Sequence, residues 1–141
     1  MKLAVDKRSY KLSEEEFNFY HENGYIIVKS LFSNEEVDRI YEIFAQNADD
    51  NYSAIINLDR KNEELHNVMK MPRVVSVVES ILEGECYGLM TQMLFKQVGT
   101  QYAEQSWTVH QDNAYHGNPN GKTLTLNVAC EDTDVENGTL Y

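Results

Sequence analysis

Thr123-Leu124-Thr125-Leu126-Asn127-Val128 alternates strictly between polar and apolar side chains, and this stretch decides the fold class. Successive side chains of an extended strand point to opposite faces. A period of two therefore predicts a strand with one face on a core and the other toward water or a cavity. The β character extends to Cys130. Working outward, residues 86–98 and 106–111 also read as β, separated by polar turn residues. Glu136-Asn137-Gly138 marks a turn, with Asn-Gly a strong hairpin signal, and Thr139-Leu140-Tyr141 looks like a further strand beginning.

Before Gly84 the pattern is helical. Ser13 with Glu16 forms a capping box, Phe17 and Tyr20 share a face, and Gly24 stands in the stop position, so residues 13–23 read as a short amphipathic helix. Tyr25-Ile26-Ile27-Val28-Lys29 is a β-branched run too short for a helix. Ser33 with Glu36 opens a second helix, with Val37, Ile40, Tyr41 and Phe44 as its apolar stripe. Residues 48–62 read as loop with a short strand at Ala54-Ile55-Ile56. Pro72 then suits the first turn of a helix carrying Val74, Val75, Val77, Val78, Ile81 and Leu82 to its end before Gly84. Its β-branched content favours a strand, but its length, Pro start and Gly stop favour a helix. Helices first and strands later give an α+β class, with a helical part over about residues 1–84 and strands over about 85–141.

A length of 141 residues fits a single domain, residues 1–141, and no Pro/Gly-rich linker or repeat divides it. With 42% hydrophobic and 25% charged residues, a packed core is expected rather than disorder. The net charge of −11, spread along the chain, repels phosphate backbones and argues against nucleic acid. No apolar run is long enough to span a bilayer or serve as a signal peptide, so no membrane partner and a cytoplasmic location are expected. Cys86 and Cys130 form no C-x-x-C pair and read as reduced, buried thiols.

The densest group of ligand-type side chains is Trp107-Thr108-Val109-His110-Gln111-Asp112-Asn113-Ala114-Tyr115-His116. In a strand, His110 and Asp112 project from the same face and can both reach one metal ion. An imidazole and a carboxylate are two of the three ligands of the facial triad that holds non-haem Fe(II). H-x-D also occurs as an exposed strand-end pair. A zinc site with His116 as third ligand is a further alternative, although the Asn, Gly and Pro residues at 113–121 make that region a loop. His21 and His66 lie in helical patterns and read as ordinary helix residues.

The surrounding motifs resemble the phytanoyl-CoA dioxygenase (PhyH) family of Fe(II)- and 2-oxoglutarate-dependent oxygenases. The resemblance runs through Gly24-Tyr25-Ile26-Ile27-Val28, Leu31-Phe32-Ser33, Met71-Pro72-Arg73-Val74 and Glu83-Gly84. It is strongest over Thr91-Gln92-Met93-Leu94-Phe95-Lys96, His110-Gln111-Asp112 with Tyr115, and Glu136-Asn137-Gly138-Thr139-Leu140. The fold it implies is a double-stranded β-helix, a cupin-like jelly-roll flanked by N-terminal helices.

The resemblance further implies that His110 and Asp112 are catalytic iron ligands, that Gln92 and Asn127 line the 2-oxoglutarate pocket, and that Tyr115 and His116 lie near substrate. Asn127 stands where members often carry tryptophan, Gln97 replaces a proline, and Trp107 lies three residues before His110 rather than beside it. The family's distal histidine and 2-oxoglutarate arginine follow a Pro-Gly-Ser-His-like segment that these 141 residues do not contain. The chain is thus expected to be the N-terminal portion of an oxygenase lacking the last barrel strands. Alone it is expected to be inactive and to self-associate through exposed sheet edges.

The implied reaction hydroxylates an unactivated C–H bond of a small organic substrate with O2, converting 2-oxoglutarate to succinate and CO2. Halogenation is disfavoured because Asp112 fills the carboxylate position. Acyl-CoA thioesters, amino-acid derivatives, alkaloids and small polyketides all remain open as substrates. The alternative is a non-catalytic jelly-roll binding domain in which His110 and Asp112 are polar wall residues.

Overall fold

Two serines, each three residues ahead of a glutamate, set the first two helices. A computed structural model describes residue 3 and residues 7–48, 54–94 and 109–137. In α1 (Glu14–Asn23) the Ser13 hydroxyl accepts from the Glu16 N–H at 3.2 Å, while the Glu16 carboxylate accepts from the Ser13 N–H at 2.8 Å. The helix ends at Gly24, whose φ of 79° lies in the left-handed region that glycine adopts without steric cost. Ser33 and Glu36 close the same box on α2 (Asn34–Ala45), which buries Ile40, Ile43 and Phe44.

Strand β1 (Ala54–Ile56) pairs antiparallel with β2 (Gln92–Leu94), in the register Ala54 to Leu94, Ile55 to Met93 and Ile56 to Gln92. Between them lie a 3-10 turn at Leu58–Arg60, α3 (Glu63–Met69) and α4 (Pro72–Leu82). Asn62 caps α3 by accepting from the Leu65 N–H, and Pro72 occupies the first turn of α4, where its missing N–H costs no helical bond. A four-residue helix, α5 (Asn113–His116), follows later in the chain.

Two apolar clusters hold these elements. Leu3, Ile40, Ile43, Phe44, Leu58 and Leu65 form one, with Ile55 and Met93 of the sheet and Cys130 packed against it. Leu12, Val77 and Ile81 form the other, with Tyr20, Ile26, Val28 and Leu124. Each well-buried aliphatic side chain contributes about 1.5–3 kcal/mol. Residue 10 is clasped to α4, since the Ser76 hydroxyl accepts from the Tyr10 N–H at 3.0 Å and donates to the Tyr10 carbonyl at 2.8 Å.

Among the described residues one charged side chain is buried. Arg73, at the start of α4, is 4% exposed. Its Nη2 donates to Glu36 Oε1 at 2.7 Å and its guanidinium lies 5.1 Å from the centre of the Phe32 ring. Glu36 therefore has two tasks. Its Oε2 closes the capping box of α2 at 2.9 Å, and its Oε1 neutralises Arg73 of α4. Arg39 makes a similar but more exposed fork to Glu64, through Nε at 3.2 Å and Nη2 at 2.7 Å.

The described residues thus show an α+β arrangement of helices with a two-stranded antiparallel sheet. Residues 86–91 and 123–130, expected as strands, form no ladder among the described residues, and neither does the β-branched run 25–29. A strand exists only where a neighbouring chain accepts its hydrogen bonds, and alternation alone does not supply that neighbour. The sidedness nevertheless survives: Ile26 and Val28 pack on the second cluster while Tyr25 and Ile27 are exposed. Residues 95–108, including Lys96, Gln97 and Trp107, and residues 138–141 lie outside the described residues. No described helix is long and apolar enough to cross a membrane.

Candidate functional site

His110 and Asp112 come together, but not by strand alternation. Residues 109–111 are irregular and Asp112 already has helical dihedrals, φ −56° and ψ −36°, at the entrance of α5. Its carbonyl accepts from the N–H groups of Tyr115 and His116, at 2.9 and 3.2 Å. The turn into this short helix, rather than a shared strand face, brings His110 Nε2 to 3.2 Å from Asp112 Oδ1. The two side chains are 38% and 46% exposed, so solutes reach them.

The rest of the carboxylate is also held. The Thr125 hydroxyl donates to Asp112 Oδ2 at 2.8 Å. Beside it, the Thr123 hydroxyl donates to Asn113 Oδ1 at 3.2 Å, and the Asn113 amide both accepts from the Asn118 N–H and donates to the Asn118 carbonyl. Gly117, at φ 64°, ends α5 and lets the chain turn back for this clasp. The alternating stretch is two-faced at its start, where Leu124 enters the second apolar cluster while Thr123 and Thr125 grip Asn113 and Asp112; Leu126, which the alternation puts on the core face, is instead 37% exposed. Lys122 anchors the start of this stretch by donating to the Leu82 carbonyl at the end of α4, at 2.8 Å.

The other expected site residues fall at differing places. Tyr115 meets the His110 ring edge to face at 5.7 Å between centres. It is 75% exposed and so is no core aromatic. His116 ends α5, exposed, and no group of three His, Cys, Asp or Glu side chains able to hold a metal occurs among the described residues. Gln92 lies exposed on β2 and Asn127 exposed two residues beyond Thr125, and neither hydrogen-bonds to His110 or Asp112. Thr125 and Asn113 were not singled out from sequence. The available signal was the polar face of the alternating stretch, which needed its position opposite Asp112 to become meaningful.

The donor pair suits a divalent first-row ion. Two donors bound side by side to one ion with bonds of about 2.1 Å stand about 3.0 Å apart, close to the separation here. One imidazole nitrogen and one carboxylate oxygen match the donor types of the non-haem Fe(II) triad.

A family model described as phytanoyl-CoA dioxygenase (PhyH) matches residues 20–141. The chain belongs to the phytanoyl-CoA dioxygenase family. The match covers α2 through α5, the sheet and the His110–Asp112 turn, and assigns the chain a dioxygenase-type function. Iron and 2-oxoglutarate are what this family generally uses. No curated protein and no solved structure matches the chain.

Proposed function

We propose that His110 and Asp112 supply two of the protein ligands to Fe(II) in a 2-oxoglutarate-dependent dioxygenase that hydroxylates an unactivated C–H bond of a small organic substrate. The observation that carries this reading is the 3.2 Å approach of His110 Nε2 to Asp112 Oδ1 in a chain matching the family over residues 20–141. Fe(II), 2-oxoglutarate and O2 together supply the oxidising power, with succinate and CO2 as co-products.

The chain's own residues do the holding. His110 would hold the ion through an imidazole nitrogen and Asp112 through a negatively charged carboxylate oxygen, and the ion would supply the site for co-substrate and O2 chemistry. Tyr115 flanks the imidazole, and with His116 it stands where substrate enters. Gln92 and Asn127 are assigned to the 2-oxoglutarate side by the family pattern.

Anaerobic calorimetric titration with Fe(II), in the presence of 2-oxoglutarate, tests the reading. The wild-type chain is expected to bind, with affinity lost in both His110→Ala and Asp112→Ala. Binding unchanged in both variants would instead support a non-catalytic binding domain. Zinc bound at least as tightly as iron, and lost in His116→Ala, would support a structural metal site.

A further inference from the structure

The Asp112 carboxylate is held at both oxygens, and differently at each. Oδ1 faces His110 Nε2 at 3.2 Å, on the side where an ion would sit. Oδ2 faces the Thr125 hydroxyl at 2.8 Å, within good hydrogen-bond distance. A hydroxyl donating to one carboxylate oxygen draws electron density to that oxygen, fixes the rotation of the group about its last torsion, and takes up one of that oxygen's two lone pairs, so that it competes with a second metal bond. From this geometry we infer that Thr125 is a positioning residue for the metal ligand Asp112, directing it to bind through Oδ1 alone. The inference rests on the proposed metal role of His110 and Asp112.

The placement of Thr125 is itself secured from both sides. Leu124 is packed on the Val77 and Ile81 cluster, and Lys122 is tied to the end of α4, so the backbone at 125 cannot drift without breaking apolar packing. Thr123 performs the neighbouring contact to Asn113, which fixes the first residue of α5 and with it the turn that aims Asp112. The alternating stretch acts as a brace: its apolar side grips the helices and its hydroxyl side grips the ligand turn. Partners of this type, one bond removed from the metal, commonly change affinity 10–100-fold when removed.

The test compares wild type with Thr125→Val, which keeps the shape of the side chain and deletes the hydroxyl, and Thr125→Ser, which keeps the hydroxyl. Mn(II) affinity is read by titration, and the mode of carboxylate binding by the splitting between the two carboxylate stretches in the infrared spectrum of protein labelled at aspartate. Expected are a loss of about 10–100-fold in Mn(II) affinity for Thr125→Val, near wild-type affinity for Thr125→Ser, and a narrower stretch splitting in the valine variant as Oδ2 becomes free to join the ion. Near-ultraviolet circular dichroism checks that the valine variant keeps its packing, and the serine variant carries the decision if it does not: serine then binds as wild type if the hydroxyl is what matters. Wild-type affinity and splitting in a folded Thr125→Val overturn the inference, while loss of binding in His110→Ala leaves the dioxygenase reading standing. Mn(II) binding insensitive to His110→Ala and Asp112→Ala overturns both.

Discussion

Glu36→Ala should be among the most damaging single changes in this protein, although Glu36 is not one of the candidate site residues. The substitution removes two interactions at once. The Ser33 N–H loses its acceptor at 2.9 Å in the capping box of α2, and Arg73, 4% exposed, loses its counter-ion at 2.7 Å. Removing the partner of a buried charge costs about 3–5 kcal/mol when the charge is left uncompensated. Arg73 keeps the Phe32 ring at 5.1 Å, the Met71 sulfur at 3.1 Å and a further interaction, so the cost falls below that range, to about 2 kcal/mol. The lost capping bond adds about 0.5–1 kcal/mol. The sum of about 2.5 kcal/mol is a sizeable share of the 5–15 kcal/mol typical of a domain, and at this length lowers Tm by roughly 7–10 °C.

The assay is a set of thermal melts with Glu36→Ala, Arg73→Met and the double variant. Because Arg73→Met removes the buried charge that Glu36 neutralises, the double variant should be more stable than Glu36→Ala alone, with a coupling of about 2 kcal/mol. A Glu36→Ala shift below about 2 °C, or strictly additive singles, would place this pair with ordinary surface ion pairs and refute the argument.

Two further outcomes follow from the titrating groups. The Ser13 N–H, the Tyr10 hydroxyl and the Ser13 hydroxyl hold the Glu16 carboxyl below the usual carboxylate range. A depressed folded value means that this stabilisation is fully present above about pH 4.5 and is lost as the pH falls through the folded value; melts between about pH 6 and pH 3 should show a shallower decline for Glu16→Gln than for wild type. Burial, then Glu131, pushes the Cys130 thiol up, and burial, then Glu79, does the same for Cys86. Both should therefore react with a thiol-specific disulfide reagent near pH 8 more slowly than free cysteine and accelerate on unfolding in urea; reaction of either in the folded chain at the free-thiol rate would contradict this.

What could be read from the sequence was local. A capping box needs only four consecutive residues, and both Ser13/Glu16 and Ser33/Glu36 close as their spacing predicts. Pro72 and Gly24 mark helix ends for the same reason, since their backbone preferences act in place. The short α3 shows in the sequence only as the helical pattern around His66, because it buries only Leu65 and offers too few apolar repeats to mark its ends. Strands fared worse, because their hydrogen bonds lie with distant partners: 54–56 found 92–94, whereas 25–29 and 123–130 found no ladder among the described residues.

At the candidate site the residue types of His110 and Asp112 were legible, but the reason for their proximity was not. A helical turn at Asp112 brings them together, and the hydroxyl that holds Asp112 comes from 13 residues away. Glu36 shows the same limit, since its capping role was visible from Ser33 whereas its pairing with Arg73, 37 residues on, required the fold.

The most direct measurement for the central claim is the nuclear magnetic resonance spectrum of the four histidine rings, His21, His66, His110 and His116, during titration with Mn(II), whose unpaired electrons broaden nearby resonances. The account predicts that His110 broadens first, that His21 and His66 stay sharp at the same Mn(II) concentration, and that Asp112→Asn suppresses the effect. A sharp His110 signal while His21 or His66 broadens, or an Asp112→Asn variant that behaves as wild type, would contradict it.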